Sequence, residues 1–394
     1  MTDVSERLAE LRDRGLYRKL RLIEGPQGPT VTLDGQPVLL LCSNNYLGLA
    51  DRSEVREAAA EAALHWGAGS GASRLISGNM EPHRSLESRL AAFKGYEAAL
   101  LFGSGYLANT GVIAALAGRG EVVFSDELNH ASIVDGCRLS RAETFVYRHR
   151  DPEHLAWGLR QAGERAALIV TDGVFSMDGD VAPLPELLEL ARRHGARLMV
   201  DEAHATGAVG PGGRGSVSAA GLSGEVDVVV GTLGKALGSY GAYVCAEREI
   251  VDLLINTARP FIFSTAPPPP AIGAALAALA ILETEPELVD RLQANAALLR
   301  RSLSAEGLEV GDSTTQVVPV HVGEAEATME LCELALEKGV FAQGIRPPTV
   351  AEGSCRLRLT AMATHRREDL VAAAHMVGVA AREGGLARAQ PLAA

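Results

Sequence analysis

The sequence predicts an α/β protein built on a mostly parallel sheet with helices on both faces. Three observations carry this. Short apolar runs of strand length alternate with helical patterns between residues 98 and 232, the signature of successive βαβ units. The runs are apolar at consecutive rather than alternate positions, as strands covered on both faces must be. Polar and glycine-rich segments follow the runs, where open sheets of this kind bind ligands.

From the N-terminus, Leu8, Leu11 and Leu20 with charges between them predict an amphipathic helix, closed by the breaker-rich Gly-Pro-Gln-Gly-Pro at 25–29. AALLF (98–102), EVVFSD (121–126), AALIVTDG (166–173), RLMVDEAH (197–204) and VDVVVGT (226–232) read as buried strands, and PELLELARRHG (185–195) as a crossover helix. APPPPA at 266–271 ends the pattern, and a long Ala/Leu helix from about Ile272 leads into a second, smaller α+β unit. The tail AAREGGLARAQPLAA (380–394) has little apolar periodicity and is expected to fray. At 394 residues the chain exceeds one ordinary core. The expected division is an N-terminal helix and arm at 1–45, a large domain at 46–283 and a small C-terminal domain at 284–394.

Composition narrows the function. A formal charge of −12 argues against a nucleic-acid or anionic-membrane surface, so an anionic substrate must meet local arginines. The five cysteines, Cys42, Cys137, Cys245, Cys332 and Cys355, form no Cys-x-x-Cys pair, which suggests neither a metal site nor a disulfide framework. The first fifteen residues are charged and lack an apolar h-region, and no stretch approaches the ~20 apolar residues of a membrane span. The expectation is a cytoplasmic protein.

GTLGKALGSYG (231–241) places Lys235 among glycines directly after an apolar run. It is not a phosphate-binding P-loop, because Val229 stands where the first glycine belongs and Ala236 where a Ser or Thr should hold magnesium. A lysine at a strand end can instead form a Schiff base with an aldehyde cofactor. FGSGYLAN (102–109) follows a strand and opens a helix whose free amides can take a phosphate. The same stretch spells GxGxxA, a dinucleotide fingerprint, with Glu121 or Asp126 near the distance of a ribose-binding acid. A dehydrogenase therefore stays open as the alternative, although it has no use for Lys235. Asp201, ending the run RLMVD, is either a satisfied core acid or a carboxylate placed against a cationic ring nitrogen, and His204 lies beside it. His130 and Ser176 follow two further strands, where an imidazole could stack on a flat ring, and Thr232 adds a hydroxyl near the lysine. The chain contains neither GxSxG nor HExxH.

Taken together, SNNYLGLA, FGSGYLAN, NHASIVDG, GVFSMDGD, DEAHATGAVGPGGRG, GTLGKALGSYGAYV and IRPPTV followed by RLRLT resemble the α-oxoamine synthases, in that family's order and from about Leu16 to His365. The resemblance implies a fold-type I enzyme dependent on pyridoxal 5'-phosphate, with a mostly parallel seven-stranded sheet in a large cofactor-binding domain and a smaller α+β C-terminal domain. It implies a decarboxylative condensation of an amino acid with an acyl-CoA or acyl-carrier thioester. IRPPTV favours L-alanine and a pimeloyl thioester, as in biotin biosynthesis, over glycine-using relatives. By the same resemblance Lys235 carries the cofactor, Asp201 pairs with its ring nitrogen and His130 stacks on the ring. Ser176 and His204 approach its phenolic oxygen, while Gly105, Tyr106 and Thr232 serve its phosphate. Asn44 and Arg358 hold the amino acid carboxylate, and Arg18, Arg346 and Thr349 line the thioester entrance. Ser73 stands where glycine-selective relatives carry threonine, leaving room for a methyl group. A homodimer with shared sites is implied, Ser264 or Thr265 reaching the neighbour's phosphate. Asn45 departs from the family's usual Asp, which bears on local turn contacts. No metal is expected.

Overall fold

A computed structural model describes residues 3–386, which fall into two compact units. One comprises 49–176 and 180–290; the other comprises, of the described residues, 3–48, 177–179 and 291–386.

The larger unit is organised by a seven-stranded sheet: β1 (Ala98–Phe102), β2 (Val122–Asp126), β3 (Glu143–Tyr147), β4 (Ala166–Asp172), β5 (Arg197–Asp201), β6 (Val228–Thr232) and β7 (Ala242–Ala246). The spatial order is β1-β7-β6-β5-β4-β2-β3. Only β7 runs antiparallel to its neighbours, β1 and β6. The five strands read from the sequence are present. β3 and β7 escaped that reading for opposite reasons. β3 is an edge strand, exposed along most of its length, so its pattern is weak, whereas β7 follows the glycine loop so closely that no polar break separates them. The helix Gly105–Leu116 packs on Ala131–Ser140 over one face of the sheet, burying Val112, Ile113 and Ile133 against Val123, Val170 and Val230. Each such side chain contributes about 1.5–3 kcal/mol of burial, and this core fixes the strand ends relative to one another.

The second unit carries two small sheets. One joins Ile23–Glu24, Thr30–Leu33, Gln36–Leu40 and Val340–Phe341; the other is antiparallel in the order Val317–Gly323, Cys355–Thr360, Gln343–Ile345. Helices Ala325–Glu337 and Arg367–Glu383 supply Leu331, Leu370 and Val377 to a core shared with Leu357 and Leu359.

Three sequence expectations are corrected. The N-terminal helix spans Val4–Asp13 only, because Gly15 adopts φ 62° and breaks it, and Leu20 lies exposed beyond its end. The Ala/Leu helix begins earlier than expected, at Pro269, since a proline in the first turn needs no amide partner. Residues 380–383 do not fray: they complete Arg367–Glu383, with Ala380 and Ala381 buried, and the rest of the expected fraying, from 387 on, lies outside the described residues. Among the described residues no helix is long and apolar enough to cross a membrane, and no cluster of His, Cys, Asp and Glu could hold a metal.

Candidate active site

The loop after β6 explains its glycines. Gly231 faces the Tyr243 ring of β7, where a Cβ would come within 2.3 Å of ring carbon. Gly238, at φ 59°, lies so close to the Ala50 backbone that a Cβ would approach its nitrogen to 2.5 Å. The chain can then fold back tightly, with Ser239 N–H donating to Leu233 O at 2.8 Å and Gly238 N–H to Lys235 O at 2.9 Å. Lys235 leaves this loop half-buried, its Nζ 2.7 Å from His204 Nε2.

His204 lies in the turn after β5, which is anchored from below. Glu202 is fully buried, pairs with buried Lys94, and accepts from Ser216 Oγ at 2.9 Å and from Val217 N–H at 2.7 Å. Glu202 is thus held by structural contacts, whereas its neighbour Asp201 is not part of them. Asp201, 4 % exposed, accepts from Asn109 Nδ2 at 2.6 Å through Oδ2 and from Ala203 N–H at 2.8 Å through Oδ1. A carboxylate has about four acceptor positions, so Asp201 keeps capacity for a further donor. Asn109 also donates to Ser132 Oγ at 2.8 Å, and its Oδ1 is buried without a partner among the described residues.

Across the sheet, Asp172 of β4 is in register with Asp201, and burial together with the Asp201 charge holds its carboxyl well above the usual carboxylate range. Its Oδ2 accepts the His130 N–H at 2.8 Å. His130 caps the helix Ala131–Ser140, with Nδ1 2.7 Å from Ser132 Oγ. Its pKa is lowered chiefly by desolvation, Asp201 opposing and Lys235 adding to the shift, which favours a neutral ring. After β1, Ser104 Oγ accepts Leu107 N–H at 3.2 Å, and the first-turn amides of Gly105 and Tyr106 have no acceptor within their own helix. Tyr106 is half-exposed and its hydroxyl donates to Asp135 at 2.6 Å. Thr232 Oγ1 donates to Gly241 O at 3.1 Å, and Ser176 is half-buried after β4. Ser73 and exposed Thr265 form an isolated antiparallel bridge. The larger unit thus brings Lys235, His204, Asp201 and, through Asn109 and Asp172, His130 into one connected set.

The second unit holds the remaining residues in two groups. Arg358, buried on Cys355–Thr360, donates to Tyr46 Oη at 3.3 Å, and Tyr46 donates to Asn44 Oδ1 at 3.1 Å. Arg18, Arg346 and Thr349 line a cavity of about 680 Å³ with Leu336 and Phe341, and Arg346 is tethered to Tyr17 O at 2.9 Å. Asn45 donates its side-chain amide to Gln27 O at 3.0 Å, a bond that an aspartate there could not make.

Sequence reading missed Asn109, Asp172 and Lys94. The available signal was polarity out of place: one Asn inside the apolar helix GYLANTGVIAAL, and an acid ending the buried, mostly apolar strand AALIVTD.

The set fits pyridoxal 5'-phosphate. It offers a primary amine for the aldehyde, a buried carboxylate with spare acceptor capacity for a ring N–H, a neutral imidazole and helix-terminal amides. A dinucleotide finds less here, because the two acids proposed for a ribose are spent: Glu121 accepts Gly118 N–H at 2.7 Å, and buried Asp126 accepts Leu128 N–H and Arg150 N–H, both at 2.9 Å.

Comparison with known proteins agrees. The family model for aminotransferase class I and II matches residues 36–377. The 8-amino-7-oxononanoate synthase of Citrifermentans bemidjiense is 54% identical over 380 residues, 96% of this chain and 97% of that protein. That of Geobacter sulfurreducens is 54% identical over 387 residues, covering 97% and 99%. A serine palmitoyltransferase from S. paucimobilis with a bound PLP–myriocin aldimine superimposes with a TM-score of 0.92 at 34% identity, covering 97% of each chain. With its amine, carboxylate and imidazole at the strand ends of the matched region, the chain belongs to the class I and II aminotransferase family and is a pyridoxal-phosphate enzyme.

Proposed function

We infer that the chain condenses L-alanine with a pimeloyl thioester, with loss of carbon dioxide, to give 8-amino-7-oxononanoate for biotin biosynthesis. The observation that carries this is Lys235 Nζ held 2.7 Å from His204 beside buried Asp201, in a chain 54% identical to 8-amino-7-oxononanoate synthases over nearly its whole length.

Pyridoxal phosphate, when bound, supplies an aldehyde for the amino group and a ring that accepts the electrons released at Cα. Lys235 would hold the cofactor and, once displaced by the substrate amine, take the Cα proton at Nζ and later return one; a placed base is worth ~10²–10⁴ in rate. Asp201 would keep a proton on the ring nitrogen, for which its buried position and remaining acceptor capacity are suited. His130 would cover the ring face, and Ser176 and His204 would meet the phenolic oxygen. Gly105, Tyr106 and Thr232 would bind the phosphate, with Thr265 contributed by a second copy in a homodimer. Arg358 and Asn44 would orient the alanine carboxylate, Arg358 through a charge-assisted fork that lysine could not copy. Arg18, Arg346 and Thr349 would guide the thioester, and Ser73 would leave space for the alanine methyl. In domain terms, 46–283 would bind the cofactor, with 1–45 as an arm and 284–394 as the small domain. Five unpaired cysteines suit a reducing cytoplasm.

The test is an absorbance scan of the holoenzyme with alanine, glycine and serine, followed by acyl thioesters of different length and mass analysis of the product. The expected result is a response to alanine and an amino ketone from the pimeloyl thioester. Preference for glycine, or no product from any thioester, would overturn the reading.

A further inference from the structure

Beyond the groups assigned above, one charged cluster of the larger unit has no role in the reaction as described. His149 follows β3, and its two ring nitrogens face two carboxylates: Nδ1 lies 2.9 Å from Asp126 Oδ1 and Nε2 2.8 Å from Asp180 Oδ2. A neutral imidazole can donate from only one nitrogen, so two carboxylate acceptors select the doubly protonated ring. Phe175 packs edge-on against it, ring centres 4.4 Å apart. The backbone is drawn into the same cluster. His149 N–H donates to Glu127 Oε1 at 2.8 Å, and Arg150 N–H donates to Asp126 Oδ2 at 2.9 Å. Arg150 adopts φ 53°, a left-handed conformation that costs a non-glycine residue energy and persists only where surrounding contacts enforce it.

The two carboxylates belong to different cofactor-facing segments. Asp126 ends β2 and organises the turn to His130, accepting Leu128 N–H at 2.9 Å while Asn129 N–H donates to Asp126 O at 3.2 Å. Asp180 is tied to the arm bearing Ser176: Phe175 N–H donates to its carbonyl at 3.0 Å, next to the Val174–Val181 bridge. We propose that His149 is a positioning residue for the cofactor pocket, an imidazolium strut between Asp126 and Asp180 that holds the His130 turn and the Ser176 arm in fixed relation. The proposal rests on the reading of His130 and Ser176 as cofactor-facing groups.

Acidic groups outnumber basic ones around the ring. Asp126 and Glu127 face it from the turn after β2, and Asp180 from the segment after β4; Arg150 also reaches Asp180, at 3.1 Å. Arg148 is turned to Asp151, and at the end of β4 burial and the Asp201 charge raise the Asp172 carboxyl well above the usual carboxylate range. Burial opposes charge on His149, but the hydrogen bonds and charges of Asp126 and Asp180 outweigh it and push its pKa up from 6.5 to about 9. Because the folded value is the raised one, the strut is fully formed below pH 6.5 and is lost as the pH rises through about 9.

The test uses the full chain with and without cofactor. In the cofactor-free protein at pH 8, nitrogen-edited NMR should find both His149 ring nitrogens protonated; a neutral tautomer overturns the proposal. Hydrogen exchange of the peptides spanning 126–130 and 174–181 should be faster in His149→Gln than in the wild type at pH 7, with the melting cooperativity retained. The wild type alone should loosen further on crossing pH 9, after correction for intrinsic exchange. Equal exchange in the two proteins overturns the proposal. Cofactor titration should show roughly tenfold weaker binding in His149→Gln, with kcat falling more than the KM for alanine changes. Loosened segments with unaltered cofactor binding would also overturn the positioning role, and His130→Ala and Ser176→Ala then separate the causes. If those two variants weaken cofactor binding, the reading of the site stands and the strut fails; if they do not, the reading itself fails.

Discussion

At the scale of the single residue, the site depends on an amine and an acid that can be removed separately. Lys235→Ala is expected to abolish turnover and to leave the cofactor without a covalent link, seen as no cofactor-bearing peptide after borohydride reduction. A cofactor still reduced onto another lysine with activity intact would defeat the assignment. Asp201→Asn keeps a hydrogen-bonding group of the same size beside Asn109 but removes the charge that favours a protonated ring. Cofactor should therefore remain bound while exchange of the alanine Cα proton slows ~10²–10³-fold, the scale of one lost preorganised electrostatic partner; unchanged exchange would make the acid structural. Lys235, Asp201 and His130 stood out in the sequence because each lies at, or within a few residues of, the end of a strand-like run. Asn109, Asp172 and His149 were not, since their meaning lies in partners far along the chain: Asn109 to Asp201, Asp172 to the His130 amide, His149 to Asp126 and Asp180.

At the scale of the element, the loop 231–241 turns sequence into placement, because its glycines accept backbone contacts that a side chain would block. Gly238→Ala would add a Cβ 2.5 Å from the Ala50 nitrogen and force a non-glycine residue to φ 59°. A cost of about 1–3 kcal/mol is expected from the left-handed conformation alone, read by denaturant unfolding of the cofactor-free protein. Cofactor binding should weaken as well, since Gly238 N–H closes the turn on the Lys235 carbonyl. An alanine variant as stable as the wild type would mean that the loop can move away from Ala50. The strands β1, β2, β4, β5 and β6 could be read from composition because a strand covered on both faces has no polar alternation to hide it. β3, at the sheet edge, and the two- to five-residue strands of the second unit carry too few buried positions for a pattern to show.

At the scale of the whole molecule, the open question is whether one chain suffices. The larger unit exposes Ile76 at 80% and Phe263 at 70%, on segments brought together by the Ser73–Thr265 bridge. Large apolar side chains grouped in this way mark an association surface more often than a free one. The proposed homodimer predicts a sedimenting species of twice the 41.4 kDa chain mass, and Ile76→Asp together with Phe263→Asp should shift it towards the monomer. A stricter test follows from a shared site, in which Thr265 of one chain serves the cofactor held by Lys235 of the other. Lys235→Ala and Thr265→Glu each disable every site in their own homodimers, the second by setting a carboxylate against the phosphate. Unfolded together and refolded at equal concentration, about half of the dimers pair the two variants, and each such hybrid contains one site with both defects and one with neither. Activity should then recover to about a quarter of the wild-type value, whereas sites contained within single chains would leave the mixture at the average of its two inactive parents.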